Sequence, residues 1–305
     1  MADDSVRVIC GPTAAGKSSL ALTLAERYDA VIISADSRQI YRGFDIGTAK
    51  PSVQERARVP HRGLDVVDPI ERYSAAAWAA SAARSVEEAR AQGRSPLVVG
   101  GTGFYLRALF DPLFEAPGMD ERRRERLSRE LDALPLAELR RWCEQLDPER
   151  AALGRTQLLR SIETALLTGE RLSSLHLTRA RAPRFTARYL VVDPGAGLGS
   201  RIERRIREML ASGWASEVRT LLQRVPERAP AWKATGYGVM RRLVAGDMDE
   251  TSAVEAIHIE TRQYAKRQRT WFRHQLDPRL TSRLDPSSLS VESQARAWWE
   301  GEDMA

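Results

Sequence analysis

The sequence predicts an α/β protein in which a parallel sheet is flanked by helices and carries an α-helical insertion domain. Three observations support this class. Short β-branched runs alternate with helical patterns, a glycine-rich loop joins the first run to the first helix, and residues 120–177 are charged and rich in Leu and Ala without such runs. Strands that alternate with helices are typical of a parallel sheet, because parallel neighbours need a long crossover connection.

The glycine-rich loop spans residues 11–18 and reads GPTAAGKS, which is the phosphate-loop pattern. A strand-like run precedes it and a helical run follows, so we class the sheet as P-loop NTPase-like. The loop's N–H groups and the helix N-terminus would hold a di- or triphosphate. Lys17 would reach the terminal phosphates, and Ser18 would hold Mg²⁺. The phosphate-binding residues predicted in this loop are Gly11, Pro12, Thr13, Ala14, Ala15, Gly16, Lys17 and Ser18.

The second run, residues 30–34, predicts a central strand that delivers Asp36 to its carboxyl end. Because ligands of doubly wound sheets bind at this end, Asp36 would face the crevice of the phosphate loop. It would either hold the metal through water or act as general base on an acceptor hydroxyl or amine. A turn or N-cap role is the commoner use of such an aspartate, but Ser37, Arg38 and Gln39 add polar groups at the same strand end and favour a functional role.

The next segments predict the rest of the crevice. Residues 42–74 are punctuated by Gly and Pro and predict a loop that could cover a substrate. A helix is predicted over residues 73–91, with Ser74 as its N-cap. Residues 96–99 predict a further parallel strand that runs into a glycine turn with Thr102. We expect three strand ends to converge on one site.

The chain order predicts four parts: a first core part over residues 1–117, the helical insertion domain over 118–184, a second core part over 185–280 and a peripheral tail over 281–305. The second core part contains a predicted helix over about residues 251–275. Its apolar stripe of Ile257, Tyr264 and Trp271 is expected in the core. Its opposite face is basic and is the better candidate for contact with an RNA backbone; it consists of Arg262, Lys266, Arg269 and Arg273.

Composition limits the cellular setting. The two cysteines provide no disulfide framework, which favours a reducing compartment. The acidic N-terminus is unlike a signal peptide, and no apolar run approaches about 18 residues. We therefore expect a cytoplasmic protein with no membrane segment, and we expect a monomer. A net charge of +6, from 47 basic and 41 acidic residues, is mostly a mixed surface and by itself does not indicate nucleic-acid binding.

Three segments together resemble the tRNA dimethylallyltransferases, also called tRNA isopentenyltransferases: GPTAAGKS, SADSRQIY at residues 34–41, and VVGGTGFYLRAL at residues 98–109. LLRSIE at residues 158–163 and ETRQYAKRQRTWFRH at residues 260–274 fit as well, and the latter is similar to the family's C-terminal basic helix. The resemblance implies that the protein transfers a dimethylallyl group from dimethylallyl diphosphate to N6 of adenosine 37 in tRNA. It also implies Mg²⁺ as cofactor.

The resemblance assigns roles to individual residues. Lys17 and the loop would stabilise the leaving diphosphate, and Arg205 would help to bind it. Asp36 would accept the N6 proton and Thr102 would hydrogen-bond the tRNA near the reacting base, which must be extruded from its stack. Lys17, Asp36 and Thr102 are thus the predicted catalytic residues. The implied tRNA-binding residues are Asp36, Ser37, Arg38, Gln39, Thr102, Arg124, Thr156, Gln157, Leu158, Leu159, Arg160 and Lys233.

Two stretches depart from the family's pattern. Thr156 and Gln157 stand where the family usually has Gln-Arg, and Gly238 and Val239 stand where it usually has Arg-Gln. These differences alter local contacts with tRNA and leave the predicted chemistry untouched.

Other functions also fit part of the pattern. A small-molecule kinase would use the same loop and an aspartate base to transfer a phosphoryl group from ATP. A related isopentenyltransferase would act on a free adenine nucleotide. The helical insertion and the basic helix favour the tRNA substrate over both. A protein that only binds RNA is disfavoured by the intact Lys17, Ser18 and Asp36.

Overall fold

The computed structural model describes residues 5–111, 119–178, 183–302 and 304. Its strands are β1 Val6–Cys10, β2 Ala30–Ser34, β3 His61–Arg62, β4 Ser95–Gly100, β5 Ala187–Val192 and β6 Thr281–Leu284. They form one sheet in the order β3-β2-β4-β1-β5-β6, and each neighbouring pair is parallel. The predicted P-loop NTPase-like class is thereby confirmed.

Helices account for most of the remaining regular structure. They are α1 Lys17–Arg27, α2 Val53–Arg58, α3 Ala75–Ala91, α4 Gly103–Phe110, α5 Glu121–Asp132, α6 Leu136–Leu146, α7 Arg155–Thr168, α8 Leu172–Thr178, α9 Leu198–Ala211, α10 Trp214–Leu222, α11 Tyr237–Ala245, α12 Glu250–Gln275 and α13 Val291–Glu300. Among the described residues, no helix is both long enough and apolar enough to cross a membrane.

Side chains alternate between two cores along the central strand β1. Val8 packs with Trp78 of α3 and Leu106 of α4 on one face of the sheet. Ile9 packs with Leu24 of α1 on the other. Because both faces are covered by helices, Val6, Val8, Ile9 and Cys10 are buried, and only Arg7 of this strand is partly exposed.

Local capping signals set the helix starts that the sequence predicted. The Ser74 hydroxyl accepts the Ala77 N–H at 3.0 Å, and α3 begins at the next residue, Ala75. At α12 the carboxylate of Asp249 accepts the Ser252 N–H at 2.9 Å. Such side-chain caps satisfy N–H groups that have no partner inside the helix.

The C-terminal segment is part of the core, so the expectation of a peripheral tail is wrong. Strand β6 pairs with β5, with Leu284 opposite Val192. In α13, Trp298 is 0% exposed and packs in the same apolar cluster as Leu24 and Ile9. The sequence pattern missed this because β6 is a short edge strand whose burial depends on residues far away in the chain.

Trp299 also ties this segment to the first strand. The Arg7 guanidinium donates to the Trp299 carbonyl, with Nε at 2.9 Å and Nη2 at 2.6 Å. The same guanidinium lies 4.7 Å from the Trp299 ring centroid, and the Tyr28 ring stacks on that ring at 4.8 Å. Backbone, cation–π and stacking contacts therefore hold α13 against β1 and α1.

The chain divides into two compact units, residues 1–110 with 184–305, and residues 111–183. The second unit contains α5 to α8, and its buried apolar cluster consists of Leu131, Leu139, Cys143, Leu158 and Ile162. The buried carboxylate of Asp147 accepts the Ser173 N–H at 3.1 Å, which ties the start of α8 to the end of α6. The predicted boundary at residues 117 and 118 falls outside the described residues.

We expect Trp298→Ala to lower the free energy of unfolding by about 3–5 kcal/mol, since it empties a fully buried site in the core. Leu289→Ala is the matched control in the same segment, because Leu289 is fully exposed. Urea unfolding followed by circular dichroism measures both variants. Equal stability of the two would show that the segment contributes nothing to the core.

Candidate active site

Three neighbouring strands end around one cavity of about 400 Å³. The phosphate loop follows β1, Asp36 follows β2, and Gly100 with Gly101 closes β4. Neighbouring strands are parallel, so their carboxyl ends meet at one edge of the sheet. The backbones approach closely there, because a Cβ at Gly100 would lie 2.2 Å from the Ala35 carbonyl oxygen.

The phosphate loop has the backbone that its pattern requires. Gly11 and Gly16 have φ of 142° and 96°, and Ala14 is left-handed at 61°. A Cβ at Gly11 would lie 2.2 Å from the Val192 carbonyl oxygen, so the loop leaves β1 against the end of β5. Lys17 is the first residue of α1, and its Nζ donates to the Pro12 carbonyl at 2.6 Å. The ammonium therefore already lies over the concavity.

Cations concentrate at this end of the cavity. Burial, and then the Arg205 guanidinium, lowers the pKa of Lys17 to about 8, while the Asp36 carboxylate opposes the shift. Burial also lowers the pKa of Arg205, again opposed by Asp36. Arg201 and Arg204 line the same cavity. Four cations thus line one cavity, and the two whose pKa burial lowers, Lys17 and Arg205, form a site that an anion would stabilise.

A hydrogen-bonded unit joins the ends of β2 and β4. The Thr102 hydroxyl accepts the Ser37 N–H at 3.0 Å and lies 3.3 Å from the Ser37 hydroxyl. The Asp36 Oδ1 accepts the Arg38 N–H at 2.8 Å, as in an aspartate turn. Tyr264 lines the same cavity, and burial together with the Asp36 carboxylate raises its pKa to about 12. Asp36 thus makes a turn contact and also faces the cavity.

The segment of residues 44–50 is held by side chains whose role the sequence did not indicate. The Gln39 amide donates to the carbonyls of Thr48 and Ala49 at 3.2 and 3.0 Å. Glu217 accepts the N–H of Asp45 at 2.9 Å and of Ile46 at 2.6 Å. Since the Gln39 amide nitrogen is engaged in this way, the structure uses Gln39 to position a wall of the cavity.

Gln268 and Arg201 are the site residues that sequence reasoning missed. The Gln268 amide is buried between the phosphate loop and Gly101, and the Arg201 Nη1 lies 3.4 Å from where a Gly16 Cβ would stand. A signal for Gln268 was present in the sequence. It is a polar residue that falls three and four residues from the buried Ala265 and Phe272, in an otherwise apolar stripe.

The basic helix α12 is only partly as predicted. Ile257 is buried, but Tyr264 lies at the cavity and Trp271 is half-buried against Gly103. Arg262, Lys266 and Arg273 are exposed. Arg269 is different, because its Nε donates to the Asp193 carboxylate at 2.9 Å. Arg269 therefore lies partly exposed beside Arg262 and Lys266, with its guanidinium paired to Asp193.

The predicted tRNA contacts in the helical unit differ in accessibility. Thr156 and Gln157 are exposed, while Leu158 is 0% exposed and packs in the core of the unit. The prediction that Leu158 contacts tRNA is wrong for its side chain, because its place on α7 faces inward. Leu159 packs partly against the same core.

Two arginines of the helical unit lie beside one carboxylate. The Arg124 Nε is 3.3 Å from the Glu163 Oε2. Burial, and then Arg124, lowers the pKa of Arg160, while Glu163 opposes the shift.

The stretch from Lys233 to Val239 is held mainly from the inside. Lys233 is exposed, but Tyr237 is 0% exposed and its hydroxyl donates to Glu217 at 2.6 Å. Gly236 has a left-handed φ of 84° at the start of α11. Gly238 is exposed and Val239 is buried, so a side chain at position 238 would face outward.

A metal site can be judged from the oxygen donors present. Ser18 is exposed in the first turn of α1 and lines the cavity, as does Asp36. Among the described residues, no group of three or more His, Cys, Asp or Glu side chains is placed to hold a metal ion. This donor set fits Mg²⁺, which keeps several waters and is commonly bound through one or two protein oxygens and the phosphates of a substrate.

Comparison with known proteins identifies the family to which the chain is similar. A family model described as IPP transferase matches residues 39–275, and one described as Isopentenyl transferase matches residues 4–62. A protein of Anaeromyxobacter sp. named tRNA dimethylallyltransferase is 42% identical over 88% of this chain and 91% of its own length. One of Halorhodospira halophila with the same name is 43% identical over 89% and 91%.

Solved structures agree with these relatives. A tRNA delta(2)-isopentenylpyrophosphate transferase of Staphylococcus epidermidis is 29% identical, with a TM-score of 0.67 over 97% of this chain and 98% of that one. A eukaryotic dimethylallyltransferase acting on tRNA shares the fold with a TM-score of 0.83 over 99% of this chain and 81% of that one, at 24% identity. With a family model matched over more than half of its length, the chain belongs to the IPP transferase family.

Proposed function

We propose that this protein transfers a dimethylallyl group from dimethylallyl diphosphate to N6 of adenosine 37 in tRNA and releases diphosphate. The observation that carries the proposal is that a cationic phosphate loop and the Asp36 carboxylate line one cavity. N-alkylation by an allylic diphosphate requires groups that bind the leaving anion and a group that accepts the proton of the amine. The two ends of this cavity supply them. The relatives named tRNA dimethylallyltransferase support the choice of tRNA as acceptor.

The donor end would act on the leaving group. As the C1–O bond breaks, negative charge grows on the diphosphate, where Lys17, Arg205 and the N–H groups of residues 16–18 would stabilise it. These groups are fixed before the reaction, so little reorganisation is needed. Mg²⁺ held by the Ser18 hydroxyl and the phosphates would supply further charge neutralisation.

The acceptor end would position the amine. The adenine N6 lone pair is delocalised into the ring, so its orientation toward C1 matters as much as proton removal. As the N6–C1 bond forms, the Asp36 carboxylate would take the N6 proton. Thr102 holds Ser37 beside Asp36, and Ser37 with Arg38 would contact the extruded nucleotide.

A labelled-donor assay tests the proposal. The protein would receive Mg²⁺, labelled dimethylallyl diphosphate and, in separate reactions, unmodified tRNA with A37, the same tRNA with G37, AMP, or no acceptor. We expect label in the A37 tRNA alone. Label in AMP would assign the protein to nucleotide prenylation, and transfer from labelled ATP in place of the prenyl donor would indicate a kinase.

Asp36→Asn separates the two contacts of this residue. The amide oxygen keeps the turn to the Arg38 N–H but cannot accept the N6 proton. We expect kcat to fall about 10²- to 10⁴-fold, with tRNA affinity changed less than about fivefold because the turn is preserved. Single-turnover transfer and filter binding measure the two quantities.

Asp277→Asn is the control for this substitution. Asp277 accepts the Arg279 N–H at 2.9 Å in the same kind of turn, and it does not line the cavity. Wild-type activity of Asp36→Asn would overturn the assignment of Asp36 as the base. Equal losses in the two variants would trace the effect to turn geometry.

The pKa of Lys17 predicts how donor binding depends on pH. The pKa is about 8 in the free protein, and a bound diphosphate would raise it, because the anion favours the ammonium. Affinity should therefore be constant below pH 8 and fall as pH rises above it, by up to about tenfold per unit. Calorimetric titration with dimethylallyl diphosphate in the absence of tRNA measures this dependence.

Lys17→Arg supplies the control for the titration. A guanidinium stays protonated over this range, so any remaining pH dependence belongs to the ligand. A fall above pH 8 that is the same in both proteins would contradict the assignment to Lys17.

A further inference from the structure

Gln268 is a buried amide in the middle of α12 that touches two parts of the site at once. Its Oε1 accepts the Thr13 N–H of the phosphate loop at 2.8 Å. Its Nε2 donates to the Gly101 carbonyl at 2.9 Å. The residue is 7% exposed. The bond to Gly101 is buried and the bond from Thr13 is partly buried, so losing either would leave a backbone group without its partner.

The space around this amide is closed. A Cβ at Gly101 would lie 2.3 Å from the Gln268 Nε2 and 3.4 Å from the Gly11 carbonyl oxygen. The start of the phosphate loop, the turn after β4 and the Gln268 side chain thus meet without room for another group. Such contact transmits displacement, because close-packed interiors are hardly compressible.

The helix that carries Gln268 is itself fixed on both sides of it. Arg269 is bound to Asp193 after β5, and Phe272 is buried in the core beside β1. One turn earlier Ala265 is buried in the apolar cluster that contains Ile202 of α9. The amide is therefore presented from a rigid element, which favours precise placement of the loops it bonds.

The two bonded loops belong to the two ends of the cavity. Thr13 lies in the loop that would hold the diphosphate. Gly101 directly precedes Thr102, whose hydroxyl accepts the Ser37 N–H beside Asp36. The Gln268 amide therefore bridges the phosphate loop, on the donor side of the cavity, and the turn before Thr102, on its acceptor side.

We propose that Gln268 is a positioning residue that fixes the separation between the phosphate loop and the Thr102 turn. It touches neither reacting atom. Its role rests on the proposed transfer reaction, because it sets how far the C1 carbon of the donor stands from the amine that Asp36 orients. A displacement of about 1 Å at such a site lowers the rate of the chemical step about 100-fold.

Gln268→Met removes both hydrogen bonds at similar volume. We expect kcat to fall about 10- to 100-fold and the KM for dimethylallyl diphosphate to change less than about threefold, because the loop keeps its other anion-binding groups. A purely structural role would lower thermal stability without this split between kcat and KM. Gln223 is an exposed glutamine after α10. Gln223→Glu is therefore the control for the effects of preparing a variant and of adding a negative charge.

Gln268→Glu tests the same role through the pH dependence of kcat in a single folded variant. A protonated carboxyl can accept from Thr13 and donate to Gly101, whereas the carboxylate would place a second acceptor against the Gly101 carbonyl. Relative to wild type at each pH, its kcat should therefore be near normal at low pH and fall as pH rises through the carboxyl pKa. Gln268→Met should show a pH-independent ratio.

The outcomes separate this inference from the proposed function. If the wild-type protein transfers no label to A37 tRNA, the proposed function fails. If it does so and Gln268→Met keeps its kcat, or the Gln268→Glu ratio does not change with pH, the positioning role is refuted. A pH-dependent ratio with the kcat loss in Gln268→Met establishes it.

Discussion

Close packing at the carboxyl edge of the sheet is the constraint on which the site depends. Three glycines stand where even one added carbon would collide: Gly11 with the Val192 carbonyl, Gly100 with the Ala35 carbonyl, and Gly101 with the Gln268 amide. Because the strand ends meet this closely, residues distant in sequence share one cavity. The phosphate loop and Asp36 owe their proximity to this contact rather than to any direct bond between them.

The charged side chains that line the cavity at this edge of the sheet influence one another. Lys17 and Arg205 both lose stability as cations through burial, and the Asp36 carboxylate partly compensates each of them. A carboxylate that would be a base and a lysine that would bind the leaving group thus interact before any substrate arrives. An incoming diphosphate and a departing proton would act on the same set of charges, which links the two ends of the cavity electrostatically as well as through Gln268.

Sequence alone predicts what short segments determine. The phosphate loop, the Ser74 cap and the delivery of Asp36 by a buried strand follow from patterns within about ten residues. Features set by distant packing are harder to predict. The burial of Trp298 depends on α1, the bond of Arg269 depends on Asp193 after β5, and the inward face of Leu158 depends on α5 and α6. Gln268 is intermediate, since its polarity in an apolar stripe was visible but its partners were not.

The hydrogen bond from Arg7 to the Trp299 carbonyl joins the first strand to a helix that is synthesised much later. Strand β1 carries the phosphate loop, yet its neighbour β5, the edge strand β6 and the covering α13 are synthesised after the helical unit. On the ribosome, the helical unit can complete its local contacts while the sheet still lacks its last strands. A sheet in which β1 pairs with strands as distant in sequence as β5 closes slowly. The anion-binding loop would therefore mature only after most of the polypeptide has emerged, which would leave an apolar β1 for chaperones to shield until then.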